Sequence, residues 1–398
     1  MNKRLVADIR IFMALFCIRG IVDLFLGTFF VSFIMHWAEN QIMSVSIYRL
    51  FEYVAICAGF FLFANMVKKY NQNLMFGLHL IPKTILLVTI ICLGQNVIEY
   101  IIPLGILYGL SDAIYCLPIN VMMAKKIPNK HMNWFMGQKT VCKHAIKLFA
   151  PVLLGLFIEL SSFPKMAMFI LGLVTLEAML IVCMSPTKHT PEPRADFVGF
   201  ARKMAQFPVI RKMFWMEVLR GLGIGMLITI IPMYTVYIFH TNLNLGIFTT
   251  IFGGCAILTS CMLGRIKNYS FFAKLLPASI ATITVAIALF VNKPSATTFL
   301  LYNFVYATAM LVLEHISNVN IFNLSQSRFI QERYHTEYFV FRDAALFIGR
   351  WIGFVGLMYI GVFGGYDWLR WYLLFITGVI ILFGITSYQL NEKMRVRR

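Results

Sequence analysis

Charge is scarce in this chain, and acidic charge scarcer still. Of 398 residues only 13% are Asp, Glu, Lys or Arg, and 17 acidic side chains stand against 35 basic ones. Soluble domains carry about 25% charged and about 45–50% apolar residues. With 60% apolar residues and a mean hydropathy of +0.77, a soluble enzyme, a disordered chain and a coiled-coil or collagen-like fibre are all excluded. The eight cysteines (Cys17, Cys57, Cys92, Cys116, Cys142, Cys183, Cys255 and Cys261) form no CxxC pair, and no His stands at zinc-ligand spacing from two of them. They read as small buried hydrophobes and supply neither a disulfide framework nor a metal site. There is no HExxH, no Ser/His/Asp order and no phosphate-binding loop. Gly221, Gly223 and Gly225 give a GxG pattern inside an apolar run with no strand before it. Small residues permitting close helix approach are the better reading. No enzymatic activity, no cofactor and no metal are expected.

What is abundant is long apolar sequence. Twelve runs reach the ~20 residues needed to cross a bilayer: residues 11–35, 43–66, 74–93, 98–123, 140–160 and 164–184, then 213–239, 243–264, 274–291, 298–322, 338–363 and 370–390. The expected fold is therefore an all-α polytopic membrane protein of twelve transmembrane helices. The basic stretch before residue 11 leads into a run too long for a cleaved signal, so it reads as a retained first span. Short connections make consecutive helices antiparallel neighbours. The long connection, 185–212, carries Pro191 and Pro193 and then a basic amphipathic stretch, Phe197–Phe207. It divides the chain into a six-helix bundle (1–184), a linker (185–212) and a second six-helix bundle (213–398).

With the N-terminus inside, 24 Lys and Arg fall on the cytoplasmic side and 3 outside, the rest lying within spans. Basic residues collect in cytoplasmic loops, so both termini are expected in the cytoplasm of a multi-pass protein of the cell membrane. The same bias accounts for the net charge of +18 with no nucleic-acid partner. The halves echo one another. Ile18-Arg19-Gly20 matches Leu219-Arg220-Gly221, Asp112 matches Glu314, and Lys143-His144-Ala145 matches Arg342-Asp343-Ala344, each at an offset near 200 residues. Parallel six-helix repeats are a transporter architecture.

In this topology, its long central loop and a few degenerate motifs, the chain resembles the major facilitator superfamily over essentially its whole length. The family's loop between spans two and three carries Gly, Asp-Arg, Gly and two basic residues. Here that place reads Ala64, Lys68-Lys69, Asn71 and Gln72-Asn73, without the Asp and both glycines. The loop after span eight keeps Arg265, Ala150-Pro151 through Gly155 is similar to the Gly-Pro-rich element of the family's exporters, and Arg342-Asp343 through Gly349-Arg350 looks like an Arg-acidic…Gly-Arg pattern of bacterial members. The resemblance implies alternating access around a midplane site, with spans one, four, five, seven, ten and eleven lining the cavity.

The charges inside spans are the candidate site, since each costs ~2.5–3.5 kcal/mol at a helix centre. Arg19 and Asp23 stand four apart, Arg49 and Glu52 three apart, and Glu217 and Arg220 three apart, so each pair shares a helix face. Arg49–Glu52 lies near a span end and reads as a snorkelling structural pair. Lys83 and Glu177 have no evident partner in sequence. Lys139, Lys143 and Lys147 form a basic stripe, either a membrane-surface face or an electropositive wall. Substrate contact is expected from Arg19, Arg220, Arg350 and Lys143, proton coupling from Asp23, Asp112 and Glu314, and gating from Glu217, Arg342 and Asp343. If close pairs cancel, the lining keeps a positive excess. An anionic or zwitterionic small-molecule substrate is expected to move with protons through a monomer embedded in membrane lipid, with efflux favoured. A flippase for a lipid-like amphiphile and a non-transporting receptor of the same fold are the alternatives.

Overall fold

The computed structural model describes residues 3–126, 129–185, 194–265, 269–325, 330 and 334–395, and every regular element among them is helical. Helix α1 (Lys3–Leu24) passes through a π-helical turn (Phe25–Phe29) into α2 (Phe30–Trp37). Then come α3 (Gln41–Lys69), the short α4 (Gln72–Gly77) and α5 (Leu80–Leu93). A 3-10 turn (Gly94–Tyr100) leads to α6 (Ile101–Lys126), α7 (Asn129–Leu160) and α8 (Phe163–Cys183). The chain continues through α9 (Phe197–Gln206), α10 (Pro208–Phe239), α11 (Asn242–Arg265), α12 (Tyr269–Asn292), α13 (Ala296–Ser325), α14 (His335–Phe363) and α15 (Gly365–Arg395).

Local chemistry sets several of these ends. The Asn40 side chain accepts the Met43 N–H at the start of α3, and Ser162 does the same for Lys165 at α8, where Pro164 occupies the first turn. Such caps satisfy backbone donors that the first turn leaves open. Helix α5 stops at Gly94, whose φ of +54° suits a residue without Cβ. The amphipathic stretch of the central connection forms α9. Asp196 caps it by accepting the Gly199 N–H at 2.8 Å, and buried Phe200 packs on Tyr334 and Tyr338 of the α14 end.

Nine helical stretches among the described residues are long and apolar enough to cross a membrane. One of them, Asn73–Ile119, is 47 residues long and takes in the expected span 74–93 and most of the expected span 98–123. Helix α1 is not among the nine. It carries Asp8, Arg10, Arg19 and Asp23 and gives way to the π-helical turn. Large apolar side chains are widely exposed, Val182 at 85% and Leu160 at 78%. In water that would be an aggregation liability, and in a bilayer it is the lipid face. The chain is a multi-pass membrane protein.

Contacts divide it into two compact units, one of Met1–Arg194 with Pro232–Ile251 and one of Ala195–Ile231 with Phe252–Arg398. In the first, α3 and α6 pack closely. A Cβ on Gly105 would lie 2.5 Å from the Tyr48 carbonyl oxygen. In the second, α10 and α14 meet reciprocally, Gly221 lying on the Leu346 backbone and Gly349 on that of Val218 and Leu222. Added methyl groups in such a contact force backbone shifts. Gly349→Ala is expected to cost about 1–3 kcal/mol, measured as a lowered midpoint of thermal unfolding in detergent. Unchanged stability would mean that this crossing is looser than its geometry indicates.

Candidate functional site

The first unit holds a buried charge cluster near the C-terminal end of α1. Arg19 is only 5% exposed. Its Nε donates to Asp23 Oδ2 at 2.8 Å, one turn along the helix, and its Nη2 donates to Asp112 of α6. The guanidinium lies 4.4 Å from the centre of the Tyr115 ring, a cation–π distance. One arginine thus serves two carboxylates. The Asp23 side chain is 40% accessible and that of Asp112 20%, so the cluster is reached from its carboxylate side. Asp112, which has no charged partner three or four residues away in sequence, is thus held by Arg19 from another helix.

Arg49 and Glu52 do not snorkel. Both are 3% exposed, Nη1 donates to Glu52 Oε2 at 2.6 Å, and Nη2 donates to the Gly27 carbonyl. Gly27 lies in the π-helical turn, a winding that leaves carbonyls open to a side-chain donor. The pair is internal bracing between α3 and that turn.

Lys83 and Glu177 find each other. Lys83 Nζ, on α5, lies 3.3 Å from Glu177 Oε2, on α8, and both side chains are fully buried. His79, also fully buried, joins them, with Nε2 3.1 Å from Glu177 Oε1 and Nδ1 against the Phe76 carbonyl. Sequence reasoning missed His79 altogether. The signal available was its place four residues before Lys83, one turn away on the same face. A second polar feature lies at Asn242. Ser32 Oγ donates to its Oδ1 at 2.6 Å, and its backbone N–H donates to Glu159 Oε1 at 2.8 Å. Beside it opens a cavity of about 560 Å³ lined by His36, Trp37, Gln95, Glu159 and His240 among others.

In the second unit Arg220 Nη1 donates to buried Glu217 Oε1 at 3.2 Å, the pair expected from their spacing. Arg342 and Asp343 bond as sequence neighbours, Nε to Oδ1 at 2.8 Å. Arg350 lies over the Phe347 ring at 5.4 Å and against Gly225, where a Cβ would come within 2.6 Å of its Nε. Glu314 is partly accessible on α13 and has no ion pair among the described residues. The side chains of Lys139, Lys143, His144 and Lys147 lie outside the described residues. No group of three or more His, Cys, Asp or Glu suited to a metal occurs among those that are described.

No family model matches the chain, and no curated protein matches it in sequence. Solved structures do. The human organic anion transporter MFSD10 (TETRAN) aligns over 97% of this chain and all of its own, with a TM-score of 0.64 at 12% identity. The chain has a major facilitator fold. At that identity the likeness carries the helix arrangement and leaves the residues of the site to speak for themselves.

Proposed function

We propose that the chain is a secondary active transporter working by alternating access, with twelve crossings in two six-helix halves and both termini cytoplasmic. The solute is small, organic and anionic or zwitterionic, it moves with protons, and efflux is the favoured direction. The observation that carries this reading is Arg19 held between Asp23 and Asp112. A buried arginine whose two partners are both accessible can exchange one of them for a substrate anion. Protonating that carboxylate removes its claim on the guanidinium, and the planar donor fork suits a carboxylate or phosphate. Solute and proton are then bound at one point. The full-length likeness to a protein named as an organic anion transporter supports the same sign of charge.

Arg350 and Arg220 are the candidate substrate contacts in the second half, and Glu217, Arg342 and Asp343 are the gating residues. In proteoliposomes with an imposed pH gradient, Arg350→Gln is expected to abolish flux of anionic solutes such as a dicarboxylate or an organic phosphate. Unimpaired movement of a lipophilic cation by that variant, with no anion carried by the native chain, would sink the assignment.

A further inference from the structure

The His79–Glu177 contact has a proton requirement built into its geometry. The Phe76 carbonyl can only accept, so the Nδ1 facing it must carry hydrogen. In a neutral ring that leaves Nε2 as an acceptor, yet Nε2 lies 3.1 Å from a carboxylate oxygen of Glu177. Two acceptors cannot satisfy one another. One further proton, on Nε2 or on Glu177, turns the contact into a hydrogen bond. All of these atoms are sealed from solvent, where an unsatisfied polar pair is costly.

Charge balance gives the same answer independently. The groups that face this pair are Lys83 from α5, the Tyr115 ring from α6, and Arg19 beyond that ring. The His79 and Tyr115 rings meet edge to face at 5.1 Å, and Lys83 Nζ is 5.8 Å from the Tyr115 centroid. Ser111 Oγ donates to the His79 carbonyl, fixing α6 against the start of α5. Arg19 brings Asp23 and Asp112 with it. Among the described residues, two cations (Arg19, Lys83) meet three carboxylates (Asp23, Asp112, Glu177), and one added proton makes the set neutral.

We propose that His79 and Glu177 form a sealed proton-binding site between α5 and α8, holding one proton that is balanced electrostatically by the Arg19–Asp23–Asp112 cluster. The site lies apart from the carboxylates assigned above to coupling. Its existence does not depend on the transport reading.

The test is nitrogen-15 NMR of histidine-labelled full-length protein in lipid nanodiscs at pH 7. One of the eight imidazoles should show Nδ1–H with Nε2 either protonated or accepting from a carboxylic acid, and that signal should vanish in His79→Gln. In Glu177→Gln the amide N–H donates to Nε2 and its oxygen still accepts from Lys83. That variant should fold, and His79 should stay a neutral Nδ1–H ring at every pH tested. Asp112→Asn removes one balancing charge, so the proton affinity of the pair should fall about tenfold and its protonated signal should disappear at a pH about one unit lower than in the native protein. A neutral Nε2–H ring with bare Nδ1 in the native protein would overturn the proposal, as would an Asp112→Asn titration identical to native. Solute flux is read separately. Absence of any proton-driven flux would count against the transport reading and leave this one standing on its spectra.

Discussion

Glu177→Met should cost about 3–5 kcal/mol of stability, because it strands Lys83 in an interior that holds no other partner within bonding distance among the described residues. The lysine is on a helix that also faces lipid. Ile81 and Ile85 flank it at 57% and 49% exposure, so rotation of α5 would only move the charge into hydrocarbon. The double variant Lys83→Met/Glu177→Met should recover most of the loss, since two apolar side chains of similar volume replace a buried pair at little or no cost. His79 keeps its Phe76 carbonyl in that variant and needs only the Nδ1 proton. Thermal unfolding followed by size-exclusion fluorescence in detergent reads all three chains. A single variant as stable as native would mean that Lys83 reaches water, and the buried network would be wrong.

Most contacts of that network could not be read from sequence, and the reason is distance along the chain. Pairs within one helix were legible. Arg19–Asp23 and Glu217–Arg220 are spaced three or four apart, and that spacing alone puts them on one face. The Arg19–Asp112 and Lys83–Glu177 bonds join residues 93 and 94 apart, across helices whose rotation the apolar pattern leaves open. A span surrounded by lipid and protein is apolar on every side, so no polar stripe marks its inward face. The glycines of α10 were legible as packing residues because small side chains at close spacing have few other uses in a membrane. Arg49–Glu52 was misplaced for a physical reason as well. A pair near a span end can snorkel, but the π-helical turn supplied a buried carbonyl that holds it inside. Span number was read from hydropathy alone, and α1, which carries Asp8, Arg10, Arg19 and Asp23, is an expected span that lies outside the nine.

Arg19→Gln is the substitution on which the transport reading turns. Removing the guanidinium leaves Asp23 and Asp112, which now meet through it, as two partly accessible carboxylates facing one another. Like charges at that range disfavour double ionisation, so one carboxylate should stay protonated and the protein should still fold, at reduced stability. Transport of an anion that uses this guanidinium should fall about 100-fold, the ~2.7 kcal/mol expected for losing a desolvated charge pair. Arg19→Lys keeps the charge and loses the planar fork, so it should recover stability more fully than flux. A structural role predicts instead that flux returns in step with stability. Adding Asp23→Asn and Asp112→Asn to Arg19→Gln gives a neutral, hydrogen-bonded cluster that needs no cation, and a merely structural arginine would then be dispensable. The expected result is a stable triple variant that carries no anion in proteoliposomes. Native flux from that variant would show that Arg19 serves only to hold α1 against α6, and the substrate contact would have to be sought at Arg350.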